Sequence, residues 1–242
     1  MGCSDMRLGF STGALAAGDV RAALTLLEGI DVSVIELSAL RCRELRPLLD
    51  IVGDLQLDRF SYVAVHAPTS FHEVNEADAV QLLESRLPET WNIVVHPDSL
   101  NDLSLWRRFG PRLCLENMDK RKTTGRTARE LDRFFDSLPE ASFCLDLAHV
   151  RQIDPSMSHA VELINTFRDR IVQLHVSDLD APAHHVPLTT AAILAFQEVV
   201  PLLPRNLPVI IESVIPADGI DREIAMARRA LASSTGAPAL AG

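Results

Sequence analysis

About every thirty residues of this chain, an apolar run ends in a histidine or a carboxylate, and this beat constrains the fold more than any other feature. The runs are VSVIE ending at Glu36, YVAVH at His66, NIVVH at His96, RLCLE at Glu116, SFCLD at Asp146, IVQLH at His175 and PVIIE at Glu212. Successive endings fall 30, 30, 20, 30, 29 and 37 residues apart. One strand and the helix that returns the chain to the next strand take about thirty residues. Parallel strands joined in this way all point in one direction, so the side chains at their C-terminal ends converge on one rim.

The segment RLGFST from Arg7 supplies an eighth strand. Eight such units of roughly 250 residues in all close a (β/α)8 barrel. The expectation is therefore a single-domain α/β (β/α)8 TIM barrel over residues 1–232, with a small, flexible tail at 233–242. Helical patterns cover 19–27, 43–52, 76–87, 100–109, 127–138, 155–167, 189–200 and 221–232. Asp154-Pro155, and Thr127 with Glu130 three residues on, read as helix starts. An open doubly wound sheet needs no acid or histidine at the end of nearly every strand, and neither a GxGxxG nor a Walker A pattern supports one.

Side chains alternate along a strand, so residues two positions before each rim residue share its face. They are Val34, Ala64, Val94, Cys114, Cys144, Gln173 and Ile210. A small apolar layer beneath a polar mouth is what a packed barrel interior requires. Gln173 is the exception.

Net charge is −10, which argues against a general nucleic-acid binder or a partner of anionic membranes. Cys3, Cys42, Cys114 and Cys144 form no CxxC pair and read as small apolar filler in a reducing compartment. Neither an N-terminal apolar leader nor a run of membrane-spanning length is found. The expectation is a soluble, cytoplasmic protein without a membrane partner, in which association into a homo-oligomer stays open.

Imidazoles and carboxylates converging in one mouth suit a divalent ion such as zinc or manganese. Without one, Glu116, Asp146 and Glu212 would repel one another. His149, three residues after Asp146, extends the set, as do Asp178, Asp180 and the pair His184-His185 after His175. The loop after Glu116 carries Lys120, Arg121, Lys122 and Arg126, placed where a phosphate or carboxylate could be clamped. Arg151 and Arg41 are weaker candidates for that role.

The stretches VHAP (65–68), HP (96–97), LEN (115–117), LDLAH (145–149), LHVSD (174–178), HH (184–185) and IIES (210–213) resemble the xylose isomerase-like barrels in order and spacing. That group includes endonuclease IV and many sugar isomerases and epimerases. The resemblance implies a metal site at Glu116, Asp146, His175 and Glu212, with Glu116 bridging where more than one ion binds. It implies a further ion at His66 and His96, and a third at His149 with one of the histidine pair, His184 in preference. One to three ions are thus expected. Two features depart from the endonuclease branch. Pro182 stands where that branch has an aspartate, leaving Asp178 or Asp180 as the replacement, and Thr69 and Ser70 stand where it has a bulky DNA-contacting residue.

Two activities follow from these expectations. The first is isomerisation or epimerisation of a small sugar or sugar phosphate through an enediolate, with Glu116 and Glu212 exchanging the carbon-bound proton. Glu36, His149, His185, Lys120 and Arg121 are the candidates for substrate contact. The second is multinuclear metal-assisted hydrolysis of a phosphoester, either abasic DNA or a small phosphodiester, with DNA the less favoured partner. A binding barrel without catalysis is the third reading. The completeness of the four-residue core favours the sugar enzyme.

Overall fold

The computed structural model describes residues 7–73 and 75–232. Cys3 and the tail from residue 233 lie outside the described residues. Eight parallel strands close a barrel: β1 (Arg7–Ser11), β2 (Val34–Ser38), β3 (Tyr62–His66), β4 (Asn92–Val95), β5 (Leu113–Glu116), β6 (Ser142–Asp146), β7 (Ile171–Val176) and β10 (Pro208–Ile211). Each pairs with its sequence neighbour, and β10 closes the ring on β1. Between β7 and β10 the chain adds an antiparallel pair, β8 (Asp178–Leu179) and β9 (His185–Val186).

The helices are α1 (Thr12–Ala16), α2 (Val20–Leu26), α3 (Cys42–Ile51), α4 (Glu76–Arg86), α5 (Leu103–Trp106), α6 (Ala128–Ser137), α7 (Leu147–Ile153), α8 (Ser158–Phe167), α9 (Thr190–Val199) and α10 (Ile220–Leu231). Capping explains several of their starts. Asp19, Asn75, Thr127 and Thr189 each accept a backbone N–H of the first turn, which would otherwise lack a partner.

Two expected helices differ. The pattern over 100–109 yields only the short α5 and then a 3-10 stretch, because Gly110 adopts φ 53°, ψ −131° just before Pro111. The Asp154-Pro155 start is wrong. The segment turns there, with Asp154 accepting from Ser156 N–H and His159 N–H, and α8 begins only after Met157 at φ 58°. The short α1 and α7 and the β8–β9 pair were not anticipated.

Strand alternation divides the interior into two cores. Ile35, Leu37, Val63, Val65, Ile93 and Val95 face outward into the apolar layer shared with the helices. Val94, Cys114 and Cys144 point inward as a separate cluster, and Val34, Ala64 and Ile210 are also fully buried. Burial pushes the thiols of Cys114 and Cys144 above their ordinary range, consistent with inert filler. Between β1 and β2 the backbones meet so closely that a Cβ at Gly9 would lie 1.7 Å from the Val34 carbonyl oxygen.

Gln173 now has an explanation. A register shift between β6 and β7 pairs Cys144 with Gln173, and the side chain enters the barrel. There it is satisfied on both ends: its carbonyl accepts from the Tyr62 hydroxyl at 2.6 Å, and its amide donates to Glu36 Oε2 at 2.6 Å. Asn92 Nδ2 donates to the same Tyr62 oxygen at 2.9 Å. A polar chain therefore runs through the barrel below the rim.

Candidate metal centre

Glu116, Asp146, His175 and Glu212 come from four different strand ends, yet each offers a ligand atom, and these atoms all lie within 4.8 Å of one another. His66, His96 and Glu116 form a second such group, so Glu116 belongs to both. Glu116 Oε2 lies 3.2 Å from His66 Nε2 and 3.3 Å from His96 Nε2, and Oε1 lies 3.3 Å from His175 Nδ1. Glu212 Oε2 approaches the same His175 nitrogen at 3.3 Å.

Asp146 serves two structural roles. Its Oδ1 caps α7 by accepting the His149 N–H at 2.7 Å, while its buried Oδ2 has no hydrogen-bond partner. Asn117 holds the backbone of the same residue, accepting from Asp146 N–H at 2.8 Å and donating to Asp146 O at 2.9 Å. The Asn117 carbonyl takes the Nδ1–H of His149 at 2.8 Å. Sequence reasoning gave Asn117 no role beyond its place in LEN. Its position directly after a rim carboxylate was the available signal.

The electrostatics show what the group lacks. Burial, against the attraction of His149, raises Asp146 to about 7, since Glu116 and Glu212 repel its charge. Burial also opposes ionisation of Glu116, yet His175, His66 and His96 hold it well below the usual carboxylate range. Burial resists charge on Glu212 in the same way, and His175 and His185 outweigh it, so this carboxyl is depressed too. Burial works against charge on His66, but Glu116 and Glu36 raise it to about 9. His96 is lowered, chiefly by burial, and its buried Nδ1 lacks a partner. Three buried carboxylates, two unpartnered donor atoms and protons held on histidines to balance charge fit a site for a divalent cation.

Other expected residues are placed differently. Glu36 is fully buried and does not line the mouth. Its strand pairs it with Ala64, two residues short of His66, so it enters the barrel beneath the rim and meets His175 Nε2 at 3.1 Å. His149 lines the mouth, with Nδ1 3.4 Å from Glu116 and 3.7 Å from Asp146. Of the histidine pair, His185 and not His184 faces the cluster: its Nε2 is 3.7 Å from Glu212, and Nδ1 meets the Ser177 hydroxyl at 2.8 Å. His184 has a side chain 70% exposed and pairs with Asp180 at 3.0 Å. Asp178 is taken by Arg151 and Thr189. Neither aspartate joins a ligand group among the described residues.

The mouth is a cavity of about 550 Å³ lined by His66, His96, Glu116, His149, His185 and Glu212 in its floor, with Leu40, Arg41, Asp119, Arg121 and Val214 among the residues at its sides. Lys120 is exposed and does not line it. Arg121 does, but its guanidinium is bound by Asp119, a nearly fully buried residue that the sequence did not single out. No described helix is long and apolar enough to cross a membrane.

A family model described as xylose isomerase-like TIM barrel matches residues 43–230. No curated protein matches the chain in sequence. Among solved structures, endonuclease IV from Thermus thermophilus is similar at 17% identity and a TM-score of 0.59, covering 93% of this chain and 98% of that one. The 3-keto-D-glucoside 4-epimerase of E. coli is similar at 13% identity and a TM-score of 0.56, covering 93% and 99%. An L-ribulose 3-epimerase is similar at 12% identity and a TM-score of 0.55, covering 93% and 91%. At these identities the likeness to solved structures concerns the fold, whereas the family match spans most of the chain: the protein belongs to the xylose isomerase-like TIM barrels.

Proposed function

We propose that this protein is a divalent-metal-dependent isomerase or epimerase of a small sugar. The observation that carries the reading is the group Glu116, Asp146, His175 and Glu212, converging below a cavity sized for a small molecule. Zinc or manganese suits the mixed oxygen and nitrogen donors. When bound, the ion supplies Lewis-acid stabilisation of negative charge developing on neighbouring substrate oxygens.

The chain's own residues supply the rest. Glu116 and Glu212 are both held in the ionised form and both reach the cavity, so either carboxylate can take a proton from a substrate carbon and return it. His149, its Nδ1–H committed to the Asn117 carbonyl, is left with Nε2 to contact a substrate hydroxyl. His185, steadied by Ser177, contributes a second imidazole on the same side.

The test is incubation of zinc- or manganese-loaded protein with a panel of aldoses and ketoses in deuterated water. Solvent deuterium at carbon in at least one sugar is expected, and none in any sugar would defeat the reading. A hydrolase of phosphoesters is the second reading, favoured by the His66–His96–Glu116 group, which shares Glu116 with the first and would support a second ion. Nicking of an abasic duplex by the loaded protein would establish it.

A further inference from the structure

We propose that Asp119 is a specificity residue that restricts the mouth to neutral, unphosphorylated sugars by neutralising Arg121. The inference rests on the isomerase reading and narrows its substrate class. Arg121 is where a phosphate-binding group would be expected, on the loop after β5 and lining the cavity. Each of its three guanidinium nitrogens makes a hydrogen bond, using three of the five N–H donors. Nε donates to Asp119 Oδ1 at 3.0 Å, Nη2 to Asp119 Oδ2 at 2.7 Å and Nη1 to the Pro182 carbonyl at 3.4 Å. The Arg121 backbone N–H also donates to Asp119 Oδ1 at 2.7 Å.

Burial makes this pair hard to open. Asp119 is 2% exposed, whereas the Arg121 side chain is 49% exposed, so the burial lies on the carboxylate side of the pair. Swinging Arg121 toward a phosphate would leave a buried carboxylate without its counter-charge, which costs far more than breaking an exposed ion pair. Asp119 in turn lies depressed from the usual carboxylate range, against the effect of burial, through its bonds to Arg121 and the nearby His149.

Of the other cations on the loops around the mouth, Lys120 is exposed and does not line the cavity, and the rest are paired. Lys122 pairs with Asp98 at 2.8 Å, Arg126 with Glu130 at 3.1 Å, Arg151 with Asp178 at 2.5 Å and Arg41 with Glu44 at 2.7 Å. A phosphate dianion needs cationic groups whose charge is not already matched by a carboxylate. Here it would meet paired cations and the carboxylates of Glu116, Glu212 and Asp119. A neutral polyol fits the same surface. Its hydroxyls donate to carboxylates and bond to imidazoles, and its C–H faces can lie against the exposed side chains of Leu40 and Val214 at the rim.

The experiment compares free ketohexoses and aldoses with their 1- and 6-phosphates as substrates for deuterium exchange by the metal-loaded protein, in the wild type and in Asp119→Asn. Expected in the wild type is exchange on a free sugar at least tenfold faster than on its phosphate ester. In Asp119→Asn that preference should shrink at least tenfold as Arg121 is released. Inorganic phosphate titrated into metal-free protein and followed by 31P NMR gives a readout independent of turnover: no binding to the wild type, binding to Asp119→Asn. Faster exchange on phosphate esters by the wild type, or phosphate binding by the metal-free wild type, would overturn the inference while leaving the isomerase reading intact. These wild-type arms decide the matter even if Asp119→Asn does not fold. Absence of exchange on sugars of both classes would overturn both.

Discussion

Glu36 Oε2 stands 3.1 Å from His175 Nε2, on the edge of the ring opposite the one that meets Glu116 and Glu212. For Nδ1 to present a lone pair to an ion, the proton must sit on Nε2; Glu36 is the acceptor that favours this, while the Gln173 amide nitrogen also lies 2.7 Å from the same Nε2. Gln173, anchored by Tyr62, holds that carboxylate in place. Glu36→Gln should therefore weaken zinc or manganese binding by roughly 10- to 100-fold. A competition titration against a chelator measures this, and an unchanged affinity would show that Glu36 is packing only.

The metal-free protein should lose stability as pH rises from 7 to 9. His66 is raised from 6.5 to about 9 in the folded protein, and His175 and His149 are raised too, with burial opposed in each by surrounding negative groups. The folded state then binds more protons than the unfolded one. Stability from these groups is complete below 6.5 and disappears as pH climbs through the folded values. Asp146, raised to about 7, loses the last of its share at the start of this range, and the lowered His96 and His185 act only below 6.5. The expected slope is on the order of 1 kcal/mol per pH unit for each such group. Urea unfolding midpoints with chelator present at pH 7 and pH 9 test it. Metal should restore more stability at pH 9 than at pH 7, because binding displaces these protons.

Glu212→Gln keeps the shape of a rim side chain and removes its charge. Deuterium exchange into the substrate should fall by roughly 10²- to 10⁴-fold, the span associated with loss of a general base. Circular dichroism of the metal-free variant should match the wild type. Retained exchange would move the proton transfer to another residue.

Gly9→Ala tests the barrel seam. A methyl group there meets the Val34 carbonyl oxygen at 1.7 Å, far inside contact distance, so β1 and β2 must separate. The cost should reach about 3 kcal/mol or more, read as a lower denaturation midpoint. A midpoint equal to wild type would mean the strands adjust freely.

The beat of apolar runs determined the eight parallel strands, because period-two burial and a helix-length return leave little else for such a chain to form. It also determined which acids and histidines stand near strand ends; the resemblance to the xylose isomerase-like barrels singled out Glu116, Asp146, His175 and Glu212 among them, and these four come together in the fold. Height around the ring was not legible, since it depends on the stagger between neighbouring strands. That stagger placed Glu36 beneath the rim and not on it. Nor was the commitment of side chains on loops: His184 went to Asp180, Arg121 to Asp119 and Asp178 to Arg151. Charges that look free along a sequence are claimed by whichever partner the loops bring near, and only the folded chain selects that partner.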